Sequence, residues 1–597
     1  MESPVNDIKN LIVANKIKID GSPLNGTYGV SSIVVSHEIY KVSYAEVVLV
    51  GDGIDKGTFP IADSEVFVTG AKIEILAGIG VDKEEHIFSG IIVKVGLDIT
   101  STSVVQFKVI AKHPAVKMTY SRKDSEFASK SDSAIITGIL EKYSGFSSSV
   151  EATTPVHENI FQVHATDWDF IISRAEFLGY IVTLDGSNIY IGKPKLSSSP
   201  VLKVAMGESI FEFHGELVSE QQVPSLSAHA WDIKKQSLIT VKASEPSVNS
   251  QGNHSAKEMS KKLGLKASDL TTSTPMAQEE LTEWANSRLL RLRLGGFRGK
   301  IKIFGSNVVK TGDLIELEGV GKKFNGKAFV SGVLQELESG DWATTIKFGL
   351  DNKYLHEQFD FNNPQANGAL PAISGLQVGI VKKIFGDPLS QFRILVTIPT
   401  KSESQTGFWA RMCNPYATSG AGNFFLPEVG DEVIIGFLDS DPRYPIILGS
   451  VYSSAHKSPV SAADNKNNLK SITTRSKMKL SFDEEKKVIK IETPGGNSIT
   501  LDDDSKGIQI KDQNNNILKM SVSGIELTSD KDVTINGMNV NINGKAKISA
   551  SAKADVSVEG LNVALKAKVG LSAKGTAQAE LSASGQTVVK GAMVMIN

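Results

Sequence analysis

The stretch Val556-Ser557-Val558-Glu559-Gly560-Leu561-Asn562-Val563-Ala564-Leu565 alternates aliphatic residues with small or polar ones around a central glycine. Alternation of period two with β-branched residues reads as short strands separated by turns. Val533-Thr534-Ile535 and Val540-Asn541-Ile542 have the same texture. Glycines at Gly524, Gly537, Gly544, Gly560, Gly570, Gly575, Gly585 and Gly591 punctuate it, seven to ten residues apart in places and without a strict period. No aromatic residue follows Phe482 and no histidine follows His456. Alanine and serine are too small to fill an ordinary core, so the segment cannot bury itself as a globular domain. Disorder fits the polar content but not the β-branched alternation. A single-chain β-solenoid needs coils of about 20 residues, and no such period is present. An intertwined fibre of several chains explains the narrow residues, the frequent turns and the missing aromatics together. It also removes exposed strand edges by pairing them between chains. Val556, Val558, Leu561, Val563 and Leu565 are then the candidate needle core.

Upstream, residues 457–480 are polar and read as a linker, as do the Asn-, Pro-, Ala- and Gly-rich residues 361–375. Between them lies a compact unit, assigned to 371–456. Its expected strands are Leu376–Lys383, Gln391–Ile398, Gly407–Met412, Glu432–Leu438 and Ile446–Val451. Turns fall at Gly386-Asp387-Pro388 and Asp439-Ser440-Asp441-Pro442. Five short strands joined by such turns suit an OB-type barrel.

The first 370 residues mix β and α signals. Val47 to Val50, Lys72 to Leu76 and Ile87 to Val93 alternate or run apolar between glycine-marked turns, predicting a small barrel near 1–115. A second β region lies near 296–350. There Phe329-Val330-Ser331-Gly332-Val333-Leu334 echoes Ile87-Phe88-Ser89-Gly90-Ile91-Ile92, suggesting a repeated unit. Residues 116–295 are inserts of mixed type. Helices are expected over Ser131–Tyr143 with Asp132-Ser133 as cap, over Asp167–Leu178 with Asp167 as cap, and from Pro275 with Thr274 as cap, ending at Gly295-Gly296. Asp185-Gly186 predicts a tight hairpin turn. The role of 195–275 is not readable.

Composition limits the chemistry. The 597 residues carry 64 Lys plus Arg against 66 Asp plus Glu, a net charge of -2, which argues against a nucleic-acid binder. No apolar run reaches membrane-span length and no signal segment opens the chain, so synthesis in the cytoplasm is expected. One cysteine, Cys413, excludes an intrachain disulfide and a cysteine metal cluster. Glu428 with Asp431, and Asp439 with Asp441, are paired acids of the kind used in acid–base catalysis, but turn chemistry explains them more simply. His157 and His164 near Asp167 and Asp169 offer metal-ligand residue types, and a helix cap accounts for the aspartate. Gly192-Lys193 lacks the glycine-rich turn of a phosphate loop. No catalytic, cofactor or metal residue is therefore assigned.

Two longer stretches carry a resemblance. Asn423 to Phe437, with Phe424, Phe425, Pro427, Gly430 and Asp431, and Asp439 to Tyr452, with Asp441, Pro442, Tyr444 and Pro445, resemble the OB-domain signature of VgrG proteins. These are the spikes of type VI secretion systems, related to spikes of phage tails and extracellular contractile particles. Gln162 to Phe170 is similar to the family's Gln-x-x-x-Ser-Asp-Trp-Asp-Phe stretch, with Thr166 in place of serine. The resemblance implies a mainly β chain: a phage-hub-like base over 1–370 with two barrels, an OB neck, and an intertwined triple-stranded β-helix needle over 481–597. It implies a homotrimer that joins the six-fold inner tube and baseplate proteins to a tip and punctures a target membrane, with effector cargo as a possible passenger. The apolar end Met593, Val594, Met595, Ile596 and Asn597 is the expected dock for a PAAR-repeat tip protein. The implied role is mechanical and not enzymatic, with the product assembled in the baseplate and carried into target cells or released with a particle. A trimeric adhesive or receptor-binding tail fibre, and a cell-wall-degrading spike enzyme, are the alternatives.

Overall fold

A computed structural model describes residues 13–51, 60–80, 84–100, 105–248, 251–358, 364–400, 406–461 and 465–596. The described residues are mainly β, with helical inserts and one closed barrel of five strands. The chain divides into two units. The first is Met1–Leu426 with Ile434–Gly449, and the second is Pro427–Val433 with Ser450–Asn597.

The first unit is built on a 13-stranded sheet. Tyr44–Gly51 pairs antiparallel with Gly29–Glu38 on one side and Val105–Lys112 on the other. Its alternate residues Ala45, Val47 and Leu49 are buried with Ile33, Val35, Val109 and Ala111. The segments read from the sequence near 1–115 and 296–350 lie in this one sheet. Gly326–Glu338 joins them by pairing with Gly29–Glu38, Gly332 opposite Glu38. Each half keeps its own apolar cluster, one around Phe88 and Ile75, the other around Phe348 and Ile301.

The two Ser-Gly echoes occupy equivalent places. Each lies inside a long strand, Glu85–Ile99 and Gly326–Glu338, where that strand changes neighbours. The first pairs with Lys72–Ile79 up to Ile91 and with Val105–Lys112 from Ile91 onward. The second pairs with Leu314–Glu318 up to Phe329 and with Gly29–Glu38 from Gly332 onward. A Cβ at Gly90 would lie 2.6 Å from the Lys112 carbonyl oxygen, so the crossover needs glycine there.

The expected helices form, with their starts shifted. Ser131, not Asp132-Ser133, caps Asp132–Leu140 through its side chain. Thr166, not Asp167, caps Asp167–Phe177 and accepts from the Asp169 N–H at 3.0 Å. In both cases the hydroxyl takes the capping role and frees the following aspartate for an ion pair. Asp132 receives Arg174 at 2.6 Å and His157 at 2.8 Å, and Asp167 receives Lys123 and Tyr143, each at 2.6 Å. These partners hold both carboxyls below the usual range against the opposing effect of burial. The third helix is Gln278–Leu294, starting after Ala277 with no side-chain cap. The Thr274 N–H bonds Thr272 in the preceding loop, and Glu279 and Glu280 supply the favourable charge of the first turn instead. The helix ends at Gly295 as expected. The 195–275 region divides. Leu202–Ala205 and Ile210–Leu217 join the large sheet, while Leu226–Asp232, Ser237–Lys242 and Ser268–Thr271 form a small sheet packed on Gln278–Leu294.

His113 opens the turn Pro114–Thr119, its Nδ1 accepting from the Ala115 N–H at 3.1 Å. The residue is buried, its Nε2 has no partner, and burial pushes its pKa down to about 4 from 6.5. The folded state thus resists protonation, and stability present above pH 6.5 is lost as pH falls toward 4, by roughly 3 kcal/mol in all. His113→Asn keeps a side-chain acceptor without the titration. Thermal melting between neutral and mildly acidic pH is expected to show a flatter pH dependence for this variant than for the parent chain.

The closed barrel comprises Gln377–Lys383, Ile394–Thr397, Phe408–Met412, Glu432–Phe437 and Pro445–Ser450. These bounds fall within three residues of the expected ones. Val381, Ile394, Val396, Ala410, Val433, Ile435 and Ile447 are its buried side chains.

In the second unit a seven-stranded antiparallel sheet runs as a simple meander. Its strands are Leu469–Thr473, Lys479–Asp483, Val488–Glu492, Ser498–Asp502, Gly507–Lys511, Ile517–Ser521 and Gly524–Thr528. The sheet therefore begins inside the segment 457–480 expected as a linker. That segment was misread because its first strand carries only Leu469 and Ile472 as apolar residues. Beyond Thr528 the chain is extended, bending about every eight residues.

Candidate interface between chains

Strand register in the seven-stranded sheet creates two apolar rows on one face. Phe482, Ile489, Leu501, Ile508, Met520 and Ile525 stand opposite one another along the first row. Ile472, Leu480, Ile491, Ile499, Ile510, Leu518 and Leu527 form the second. The other face carries Lys479, Ser481, Lys490, Glu492, Thr500, Gln509 and Lys519. There Lys490 pairs with Glu492 and holds its carboxyl below the usual range.

Within one chain the apolar face is the more open of the two. Along Val488–Glu492 the isoleucines are exposed, while Val488, Lys490 and Glu492 are half-buried. Ile489, Ile491, Ile499, Leu501, Ile508 and Ile510 each keep 38 to 47% of their surface. Covering that remainder is worth roughly 1–2 kcal/mol per residue by area. A contiguous apolar face of this size on a single layer calls for a partner.

The segment 529–596 extends the same need. Among its described residues no backbone group pairs with another strand of the same chain. Its bends define a repeat that glycine spacing alone obscured. An apolar pair two residues apart is followed, two residues further on, by glycine or alanine. Val533, Ile535 and Gly537 are followed by Val540, Ile542 and Gly544, then by Ile548, Ala550 and Ala552. Val556, Val558 and Gly560, Val563, Leu565 and Ala567, and Leu571, Ala573 and Gly575 continue the series. Val556, Val558, Val563 and Leu565 thus belong to the repeated pairs, whereas Leu561 sits at a bend and is fully exposed in the single chain.

At two of these positions glycine has a steric cause. A Cβ at Gly544 would lie 2.7 Å from the Lys547 carbonyl oxygen, and one at Gly575 would overlap that of Gln578. Gly575→Val is expected to open the bend and lower the melting temperature of the assembled shaft, with a loss of about 1–3 kcal/mol per chain. Asn543→Ser, beside a bend but clear of it, serves as the tolerated control. Met593, Val594, Met595 and Ile596 are all exposed at the far end, and Asn597 lies outside the described residues.

The barrel residues singled out in the sequence fall into two groups. Phe424, Phe425 and Tyr444 are exposed aromatics, joined by Phe385 and Phe392, which sequence reasoning missed. The acids make turns. Asp431 accepts from the Glu428 N–H at 2.9 Å beside Gly430, whose φ is +95°. Asp441 grips Arg443 through paired bonds of 2.6 and 3.0 Å, which hold its carboxyl below the usual range. Pro442 follows it within the turn, and Pro445 opens the next strand, while Pro427 lies just ahead of Glu428. Glu428 itself pairs with Arg475 at 2.9 Å. The histidines considered as ligands serve separate partners: His157 bonds Asp132, and the His164 N–H donates to Asp124 at 2.8 Å. The Lys193 N–H donates to Glu151. Among the described residues no group of three or more His, Cys, Asp or Glu is placed to hold a metal ion.

The described residues thus form a β-rich base, a closed five-stranded barrel, and a one-sided sheet followed by a repeat without strand partners in the chain. A family model described as the Alg8 N-terminal domain matches residues 9–339, more than half of the chain, and the chain belongs to that family. A model described as the type VI secretion system/phage-baseplate injector OB domain matches residues 377–452. Another, described as the phage baseplate V C-terminal trimerisation domain, matches 488–548. The type VI secretion system spike protein VgrG4b of Pseudomonas aeruginosa is 30% identical over 138 residues, covering 21% of this chain and 17% of that protein. The actin cross-linking toxin VgrG1 of Vibrio cholerae is 31% identical over 140 residues, covering 22% and 12%. The chain thus spans less than a fifth of the length of these two relatives. Among solved structures, a Francisella PdpA–VgrG complex is 11% identical, covering 88% of this chain and 80% of that one, with a TM-score of 0.39. The prophage MuSo2 43 kDa tail protein from Shewanella oneidensis is 10% identical, covering 57% and 99%, with a TM-score of 0.43. By sequence, the chain is similar to VgrG-type spikes of contractile injection systems.

Proposed function

We propose that three copies of this chain form the central spike of a contractile injection system. The spike links the inner tube and baseplate to a tip protein and cargo, and it is driven through a target membrane when the machine contracts. The observation that carries this reading is the exposed apolar rows of the seven-stranded sheet together with the repeat of 529–596, which has no strand partners in one chain. The rows likewise lack a cover there. Three chains wound together supply both, with the repeated apolar pairs, among them Val556, Val558, Val563 and Leu565, facing the common axis. The match of 488–548 to a trimerisation domain supports the number three. The two halves of the base sheet with their matching Ser-Gly crossovers, repeated in three copies, would present six similar units to a six-fold tube. Met593 to Asn597 would form an apolar end face suited to a small capping protein of the PAAR type. The work is mechanical: a closed, fully hydrogen-bonded prism transmits force without a reaction.

Light scattering of the purified chain tests this directly. Three chains of 64.1 kDa give about 192 kDa in an elongated particle. A compact particle of one chain's mass would overturn the trimeric shaft.

A further inference from the structure

The shaft carries a charge that the rest of the chain does not share. The full chain has a net charge of -2. Residues 533–596 hold seven lysines, Lys545, Lys547, Lys553, Lys566, Lys568, Lys574 and Lys590, against three acids, Asp555, Glu559 and Glu580. The preceding sheet segment, 469–532, is balanced, with eleven basic and eleven acidic residues. Three chains therefore carry twenty-one lysines and nine acids along the shaft, so pairing between neighbours cannot neutralise it.

The placement of these lysines is ordered. None occupies a member of the repeated apolar pair or the small-residue position after it. Lys566 and Lys574 sit between the second apolar position and that small residue, as does Lys590 before Gly591. Lys547 immediately precedes Ile548, and Lys545, Lys553 and Lys568 lie at bends. With the apolar pairs on the axis, alternation puts Lys547, Lys566, Lys574 and Lys590 on the outer surface, and the bends place the other three there as well.

From this we infer that the shaft is an electrostatic match for an anionic phospholipid surface, which it engages on the way through the membrane. The inference rests on the spike reading above. Lysines spread along an extended prism suit a sheet of phosphate headgroups, to which each exposed lysine adds attraction that decays within a Debye length. The chain as a whole is acidic, so this attraction is directional: it favours the needle over the base.

The test uses the purified full-length chain and vesicles of phosphatidylcholine alone or with about one quarter phosphatidylglycerol. Flotation is expected to recover at least about tenfold more protein with the anionic vesicles, and salt of about 0.5 M should abolish the difference. A variant with all seven lysines changed to glutamine should lose that preference. Lys566→Gln with Lys568→Gln should lose part of it. Light scattering on the same samples reads the oligomer independently, so a failed trimer and a failed lipid preference are separate results. If the seven-site variant does not assemble, the two-site variant and the parent's lipid dependence decide. Equal binding to both vesicle types, undiminished binding by the glutamine variants, or displacement by duplex DNA at lower concentration than by anionic vesicles would each overturn the inference.

Discussion

Ile491→Asp combined with Ile499→Asp is expected to convert the proposed trimer to a monomer. The two residues face each other across neighbouring strands in the middle of the second apolar row. In one chain both are partly exposed, so the carboxylates reach water and the meander itself survives. In the assembly six carboxylates would be buried without partners, each costing several kcal/mol. Light scattering should fall from about 192 kDa to the 64.1 kDa of one chain, with circular dichroism of the base retained. Thr500→Asp, one residue away on the polar face, should leave the mass unchanged. A trimer persisting in the double variant would refute the apolar rows as an interface.

Deleting 530–597 is expected to abolish membrane puncture while leaving a folded, trimeric remainder. The deletion removes the repeat and spares every strand of the seven-stranded sheet. The base keeps its apolar clusters and the barrel its buried side chains, and both should melt as in the full chain. Killing or injection by the assembled machine is the decisive readout, and it should drop to background. Full activity of the truncated chain would sink the needle role.

The barrel was legible in the sequence because five short strand-like segments are separated by turns such as Gly386-Asp387-Pro388 and Asp439-Ser440-Asp441-Pro442. Its exposed aromatics Phe385 and Phe392 were not, since both lie in the connection between Gln377–Lys383 and Ile394–Thr397, where no apolar pattern marks which side chains face solvent. Helix positions were readable from apolar spacing, but their caps slipped. Ser131 and Asp132, or Thr166 and Asp167, are adjacent residues that can each cap a helix. What decides between them is that the buried aspartates Asp132 and Asp167 are taken up by Arg174 and Lys123, which the sequence places forty or more residues away. The single sheet of the base was hidden because its joining pair, Gly29–Glu38 with Gly326–Glu338, lies about three hundred residues apart in the chain. In the shaft, glycine was the wrong marker. Alanine replaces it at Ala552, Ala567 and Ala583, so the repeat emerges only when the Val-x-Ile pairs are aligned.

The unpaired repeat also dictates an order of events in biogenesis. In one chain the described residues of 529–596 make no backbone pairing with another strand, so in the proposed trimer that pairing would come from the other chains. Bringing three free tails together from dilute solution would be slow and prone to mismatched stagger. The seven-stranded sheet ends directly where the repeat begins. Once three such sheets have docked, the tails are held side by side at an effective concentration set by a tether of a few residues, in the millimolar range. In the proposed trimer, winding would then be an intramolecular process running from Ser529 toward Ile596, with the starting alignment copied from the sheet. On this reading the far end would close last, and a capping protein would dock only after it.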